Sequence, residues 1–139
     1  MSFKEKSTWI MAITTFGAYV AYATLILGRA EQLPLTDVPY TLTLFWTISA
    51  MVVVAAAAHI AVAIASPKDA DKEDQRDREI GRLGDYNGNW LVVIGAVTVL
   101  GMAMAELDHF WIANVIYLAL VLSELLASAT KILAYRRGF

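Results

Sequence analysis

The sequence predicts an all-α membrane protein, a bundle of four transmembrane helices with both termini inside the cell, and three observations carry that prediction. Four apolar blocks each approach the roughly 20 residues that a helix needs to cross a bilayer. Hydrophobic residues make up 58% of the 139 positions, with a mean hydropathy of +0.55. Soluble domains sit near half apolar, and here the excess is concentrated in the blocks. Finally, lysine and arginine gather on one side of the predicted spans. The length suits a single integral membrane domain, 1–139.

The first block, 9–27, follows Lys4 and Lys6 and contains Ala21-Tyr22-Ala23, so it resembles a signal peptide. Thr14, Thr15 and Tyr19 interrupt its apolar run, and it reads as a retained helix. The second block, 40–65, ends before Pro67, which cannot continue a helix. The third and fourth blocks are 87–106 and 110–135. Segments this long and this rich in Ala and Leu read as helices, because a spanning segment must satisfy its own backbone in lipid.

Basic residues near helix ends set orientation. Lys4 and Lys6 precede the first span, and Lys68, Lys72, Arg76, Arg78 and Arg82 lie between the second and third. Lys131, Arg136 and Arg137 close the fourth, while Arg29 alone falls on the other side. Ten against one predicts an N-in/C-in topology with the 67–86 loop in the cytoplasm. Trp9, Trp46, Trp90 and Trp111 each sit toward a predicted helix end, where amphipathic rings prefer the membrane interface.

That loop is the one sizeable polar segment, with ten of the twelve residues from Lys68 to Glu79 charged. Asp74 and Arg78 are spaced i,i+4 in the favourable order, as in a helix, and Ile80 and Leu83 share a face with Trp90. The expectation is a cytoplasmic helical extension feeding the third span. Asp74, Arg76, Asp77 and Arg78 form its candidate contact surface for a soluble or membrane protein partner. Asp69-x-Asp71-x-Glu73 imitates a calcium loop, but Asp74 stands where glycine is required and Ile80 where the bidentate glutamate belongs. Gly81, Gly84 and Gly88 have the wrong spacing for a dinucleotide turn and read as a close helix approach or a joint at the membrane surface.

Polar residues inside the spans are the candidate site. At 100° per residue, Asn114, Tyr117, Val121, Glu124, Ser128 and Lys131 fall on one stripe of the fourth helix, with Ala119, Ser123 and Ala127 beside it as a small-residue seam. On the first helix Thr8, Thr15, Tyr22 and Arg29 repeat at seven, with Tyr19 between them. His59 lies on an alanine-rich second helix. Counting from the cytoplasmic ends at 1.5 Å per residue, Glu124 is about 16 Å deep and His59 about 10 Å deep. The two levels are similar, and a hydrogen-bonded His59–Glu124 pair that fixes helix register is one reading. A proton-titratable site in a transport path is the other, since intramembrane carboxylates mark such paths. Lys131 is expected to snorkel to the headgroups.

Other chemistry is weakly represented. The chain has no cysteine, which excludes disulfides and thiolate metal sites. Glu106, Asp108 and His109 cluster at an outer turn, but a hydrophilic hairpin has the same composition, and no metal or other cofactor is expected. His59 and His109 belong near opposite membrane faces, which argues against a two-histidine haem. No hydrolase triad or zinc-protease spacing occurs, so no enzymatic activity is expected. The basic residues are interleaved with acids, so no nucleic-acid partner is expected either.

Asp74-x-x-Asp77-Arg78 followed by Ile80, then Phe110-Trp111-Ile112-Ala113-Asn114, Ser123-Glu124 and the closing Tyr135-Arg136-Arg137-Gly138 together resemble a family of small bacterial inner-membrane proteins. Its members have four predicted helices and no assigned biochemistry. The resemblance covers about Asp71 to the end, departs from the usual acidic-basic run at Gln75, and carries over no catalytic residue. Members often lie beside small helix-turn-helix regulators, which implies a regulatory role. The leading expectation is therefore a non-enzymatic interaction or regulatory protein of the inner membrane, self-associating as a dimer, with His59 and Glu124 as polar glue. The alternatives are a small proton-coupled transporter or channel using Glu124, with His59 and Tyr22 nearby, and an accessory subunit of a larger membrane complex.

Overall fold

The computed structural model describes residues 1–70 and 73–138; Asp71 of the calcium-like pattern and Lys72 of the basic loop lie outside the described residues. Four long helices make the fold: α1 (Phe3–Ala30), α2 (Thr41–Ala65), α4 (Gln75–Met104) and α5 (His109–Arg137), with a one-turn helix α3 (Pro67–Ala70). Each of the four is long and apolar enough to cross a membrane. The chain is thus a helical, multi-pass membrane protein.

Short polar side chains set three of the helix starts. Ser2 accepts from the Glu5 amide, Asp74 from the Asp77 amide and Asp108 from the Phe110 amide, occupying donors that the first helical turn leaves free. The cap at Asp74 fixes the start of α4, which runs unbroken for 30 residues. That is about 45 Å, against a hydrocarbon core of about 30 Å, so its first turns extend beyond the apolar layer. At the α4–α5 hairpin Glu106 takes a left-handed conformation (φ 55°) and lets Leu107 N–H reach Met102 O.

Side-by-side packing follows the order α2–α1–α5–α4. The most extensive interface is α4 on α5, followed by α1 on α2 and α1 on α5. Small residues make the first of these possible. A Cβ on Gly84 would lie 2.8 Å from the Ala127 carbonyl, and one on Gly88 would lie 2.7 Å from that of Ser123. A Cβ on Gly95 would overlap the Ala119 methyl. The predicted seam of Ala119, Ser123 and Ala127 therefore has a glycine partner in Gly84, Gly88 and Gly95. Gly81 faces open space instead.

The core lies toward the hairpin end, where Tyr22, Ile26, Val38, Phe110, Tyr117 and Val121 are buried together. Val38 reaches it from the connection after α1, which Arg29 holds down by donating to Pro39 O and Thr43 Oγ1. The outward faces of the two outermost helices remain apolar and exposed, with Leu42, Val53 and Ile64 of α2 and Val97 and Met104 of α4 all more than 60% exposed. Contiguous apolar surface on this scale suits lipid, not water.

At the end that holds both termini, ion pairs and hydrogen bonds link distant segments. Arg136 approaches Glu5 at 3.4 Å, Lys4 approaches Glu73 at 3.6 Å, and Tyr135 donates to Asp77 Oδ1 at 2.7 Å. The Lys4–Glu73 pair is exposed and of a kind that contributes about 0–1 kcal/mol, whereas Glu5 is buried beneath Arg136, and together these contacts fix the positions of the segments they join.

Candidate intramembrane acidic site

Glu124 lies near the middle of α5, about 20 Å along the axis from either end of that helix. Its Oε1 accepts from Ser128 Oγ at 3.0 Å, one turn further along the same helix. Among the described residues this is its one hydrogen-bond partner. Glu124 lines a crevice of about 240 Å³ between three helices. Met11 and Thr15 of α1, Ile48 and Met51 of α2, and Tyr117 of α5 form the remaining walls that matter here. Thr15 is 5% exposed, so the threonine at that heptad position faces inward.

The expected His59–Glu124 pair does not form. His59 instead bridges α2 to α1, with Nε2 2.6 Å from Ser7 Oγ and Nδ1 2.7 Å from Ala55 O. A carbonyl only accepts, so Nδ1 carries a proton toward Ala55 O, while Nε2 shares a hydrogen bond with the Ser7 hydroxyl, which can donate or accept. Both ring nitrogens are thereby engaged. The physical reason is rotational: equal depth brings two residues together only if their helix faces also meet, and this part of α2 leans on α1, where Lys6 also donates to Ser66.

Three other predicted residues do converge, further toward the hairpin end. Tyr22 donates to Asn114 Oδ1 at 2.7 Å, and Asn114 Nδ2 donates back to Phe110 O. The Tyr22 ring meets Tyr117 edge-on at 5.2 Å, and Tyr19 meets Tyr117 at 5.6 Å. Asn114 is ten residues, about 15 Å, from Glu124 along α5. The candidate polar site thus divides into a tyrosine–asparagine cluster and the Glu124 crevice, with Tyr117 belonging to both. Ser7, Thr15 and Ser128 complete these contacts. Ser7 is the partner that sequence reasoning misses, although its level on α1 matches that of His59.

The predicted contact residues of the charged loop are engaged within the chain. Asp74 caps α4, Asp77 accepts from Tyr135, Arg76 donates to Tyr135 O at 3.4 Å, and Arg78 lies 4.0 Å from Glu73. Lys131, expected to reach toward the headgroups, pairs with the exposed Asp85 at 2.7 Å across the glycine seam. Glu106 and His109 border a groove of about 610 Å³ at the hairpin. Among the described residues no group of three acidic, histidine or cysteine side chains is placed to hold a metal ion.

Fold and site together define a multi-pass helical membrane protein with Glu124 lining a crevice near the middle of a helix long and apolar enough to cross a membrane. No protein-family profile, curated protein or solved structure matches the chain.

Proposed function

We propose that this chain is a non-enzymatic protein of the bacterial inner membrane whose working group is Glu124, and that it moves protons, or cations in exchange for protons, as a small transporter or channel. One observation carries the reading: an intramembrane carboxyl group borders a crevice among three helices and has Ser128, on its own helix, as its partner. An ionised group at that depth is costly unless it is paired, which makes such residues functional by default. With His59 held by Ser7, the Glu124 carboxyl group has no partner on another helix among the described residues, which supports this reading over register-setting glue. A chain of 15.3 kDa leaves little room for a path within one copy, so transport favours a dimer.

The test is proton uptake into proteoliposomes under an imposed potential. Wild-type protein is expected to take up protons, and Glu124→Gln to abolish uptake while the melting temperature of the solubilised protein stays unchanged. The amide keeps the shape of the side chain and cannot titrate. Equal uptake by wild type and Glu124→Gln overturns the reading.

Bacterial inner-membrane placement follows the family resemblance, and the N-in/C-in orientation follows the ten-to-one basic bias. A cysteine at Gln75 is expected to resist an impermeant maleimide in intact cells, while one at Gln32 reacts; both native side chains are exposed. The reverse pattern would invert the topology.

A second reading, an interaction or regulatory subunit of a larger membrane assembly, is favoured by the anchoring of the charged segment. Contacts from Lys4 and Tyr135 give the start of α4 a fixed position, from which Glu79 and Arg82 project as exposed charges. Loss of a co-purifying partner on Glu79→Ala/Arg82→Ala, with proton uptake intact, is the result that this reading expects.

A further inference from the structure

We infer that the Glu124 crevice is a binding site for a small apolar organic monocation, an ammonium compound with a compact hydrocarbon body. This inference rests on the reading of Glu124 as the working group and adds the class of ligand.

The first step is charge. The basic side chains closest to Glu124 in sequence or level, among the described residues, are already engaged. Lys131 Nζ sits 2.7 Å from Asp85, and both nitrogens of His59 are hydrogen-bonded to α1 and to its own backbone. Arg29 belongs to the hairpin end, held on Pro39 O and Thr43. Among the described residues no basic side chain pairs with Glu124, which leaves the carboxyl group open to a cation from outside.

The second step is the donor set. Calcium takes six to eight oxygen ligands, and magnesium takes an octahedron of them. The residues lining the crevice carry one carboxyl group, on Glu124, and two hydroxyls, on Thr15 and Tyr117, with the Ser128 hydroxyl bonded to Glu124 alongside. The rest of the wall is two methionine side chains, a tyrosine ring and aliphatic groups. Such a lining falls short of the oxygen shell that calcium or magnesium requires. It does suit a weakly hydrated organic cation, whose charge meets the carboxylate and whose body meets thioether, ring and methyl groups.

The third step is size. About 240 Å³ is below the roughly 300–1,000 Å³ typical of drug-sized ligands. The fit is to a single-ring or short branched amine, not to a polycyclic one.

The experiment uses the full chain in detergent and benzyltrimethylammonium as the probe, with binding followed by isothermal titration calorimetry. A quaternary cation has no proton to release, so its charge is permanent. Saturable binding at one site per chain is expected. Glu124→Gln should weaken it at least tenfold, and so should Leu120→Trp, which keeps the carboxyl group but adds bulk at a half-exposed position on the crevice rim. Glu106→Gln, at the hairpin, should leave binding unchanged. Neopentylbenzene, the uncharged isostere, should bind at least tenfold more weakly than the cation. Equal binding of the isostere would overturn the inference and mark the crevice as a place for a lipid chain. Equal binding of the probe by wild type, Glu124→Gln and Leu120→Trp, or none by wild type, would also overturn it. Proton uptake that depends on Glu124, without probe binding, removes the ligand class and leaves the transport reading standing. Probe binding that depends on Glu124, without proton uptake, does the opposite.

Discussion

Replacing Gly88 or Gly95 with leucine is expected to separate α4 from α5 and lower the melting temperature of the solubilised protein by about 10 °C. Two effects of opposite sign compete. Leucine favours a helix over glycine by up to about 1 kcal/mol. Against that, a Cβ at Gly88 lies 2.7 Å from the Ser123 carbonyl, and one at Gly95 overlaps the Ala119 methyl. Neither obstacle is the tip of a flexible side chain, so the helices themselves must move. Overpacking typically costs about 1–3 kcal/mol and occasionally more, and the upper end applies because α5 is the main packing partner of α4. For a chain of 139 residues, about 3 kcal/mol corresponds to roughly 10 °C. Gly17→Leu and Gly101→Leu are the controls, since a Cβ at either position meets nothing within 4 Å. They are expected to leave melting unchanged or raise it slightly. If all four variants melt alike, the seam does not hold α4 in place.

The four spans are legible in the sequence because apolar content over about 20 residues is a one-dimensional signal. The expected helical extension into the third span is present, since α4 begins at Gln75 under the Asp74 cap; the start of α1 is less legible, because Ser2 caps it at Phe3, outside the apolar run. The small-residue stripe on α5 is readable from spacing alone, and so are Gly84 and Gly88. Gly95 escapes notice because it sits seven residues further on in an otherwise ordinary apolar run. What spacing along one helix cannot give is the rotation of a second helix against it. His59 and Glu124 have compatible depths, yet α2 turns His59 toward Ser7. The same limit separates Asn114 and Tyr22 from Glu124: one polar stripe on α5 serves two places, according to which neighbour faces it at each level. Val38 is the other omission. It lies in a loop of proline and polar residues, and only the fold shows it filling the core between α1 and α5.

Phe110→Ala is expected to be the most damaging single truncation at the hairpin end. Phe110 is 4% exposed and packs among Tyr22, Ile26 and Val38, with the Tyr40 ring meeting it edge-on at 5.5 Å. Those contacts join α1, the connection after it, the start of α2 and the start of α5, so one ring closes four segments. Truncating a buried phenylalanine costs about 3–5 kcal/mol through lost contacts and the cavity left behind, which for this length is on the order of 10 °C or more. Phe45 offers the comparison: it is the same residue type on α2, but 59% exposed. Phe45→Ala leaves no internal cavity and should shift melting by no more than about 2 °C, as expected of a surface change within about 0.5 kcal/mol. The loop supplies a second readout. With Phe110 removed, Val38 loses its neighbour while Arg29 still holds Pro39 and Thr43, so a cysteine placed at Val38 should pass from unreactive to reactive toward maleimide. Equal melting of the two alanine variants, with no change in labelling, would mean that the hairpin-end core does not organise the bundle.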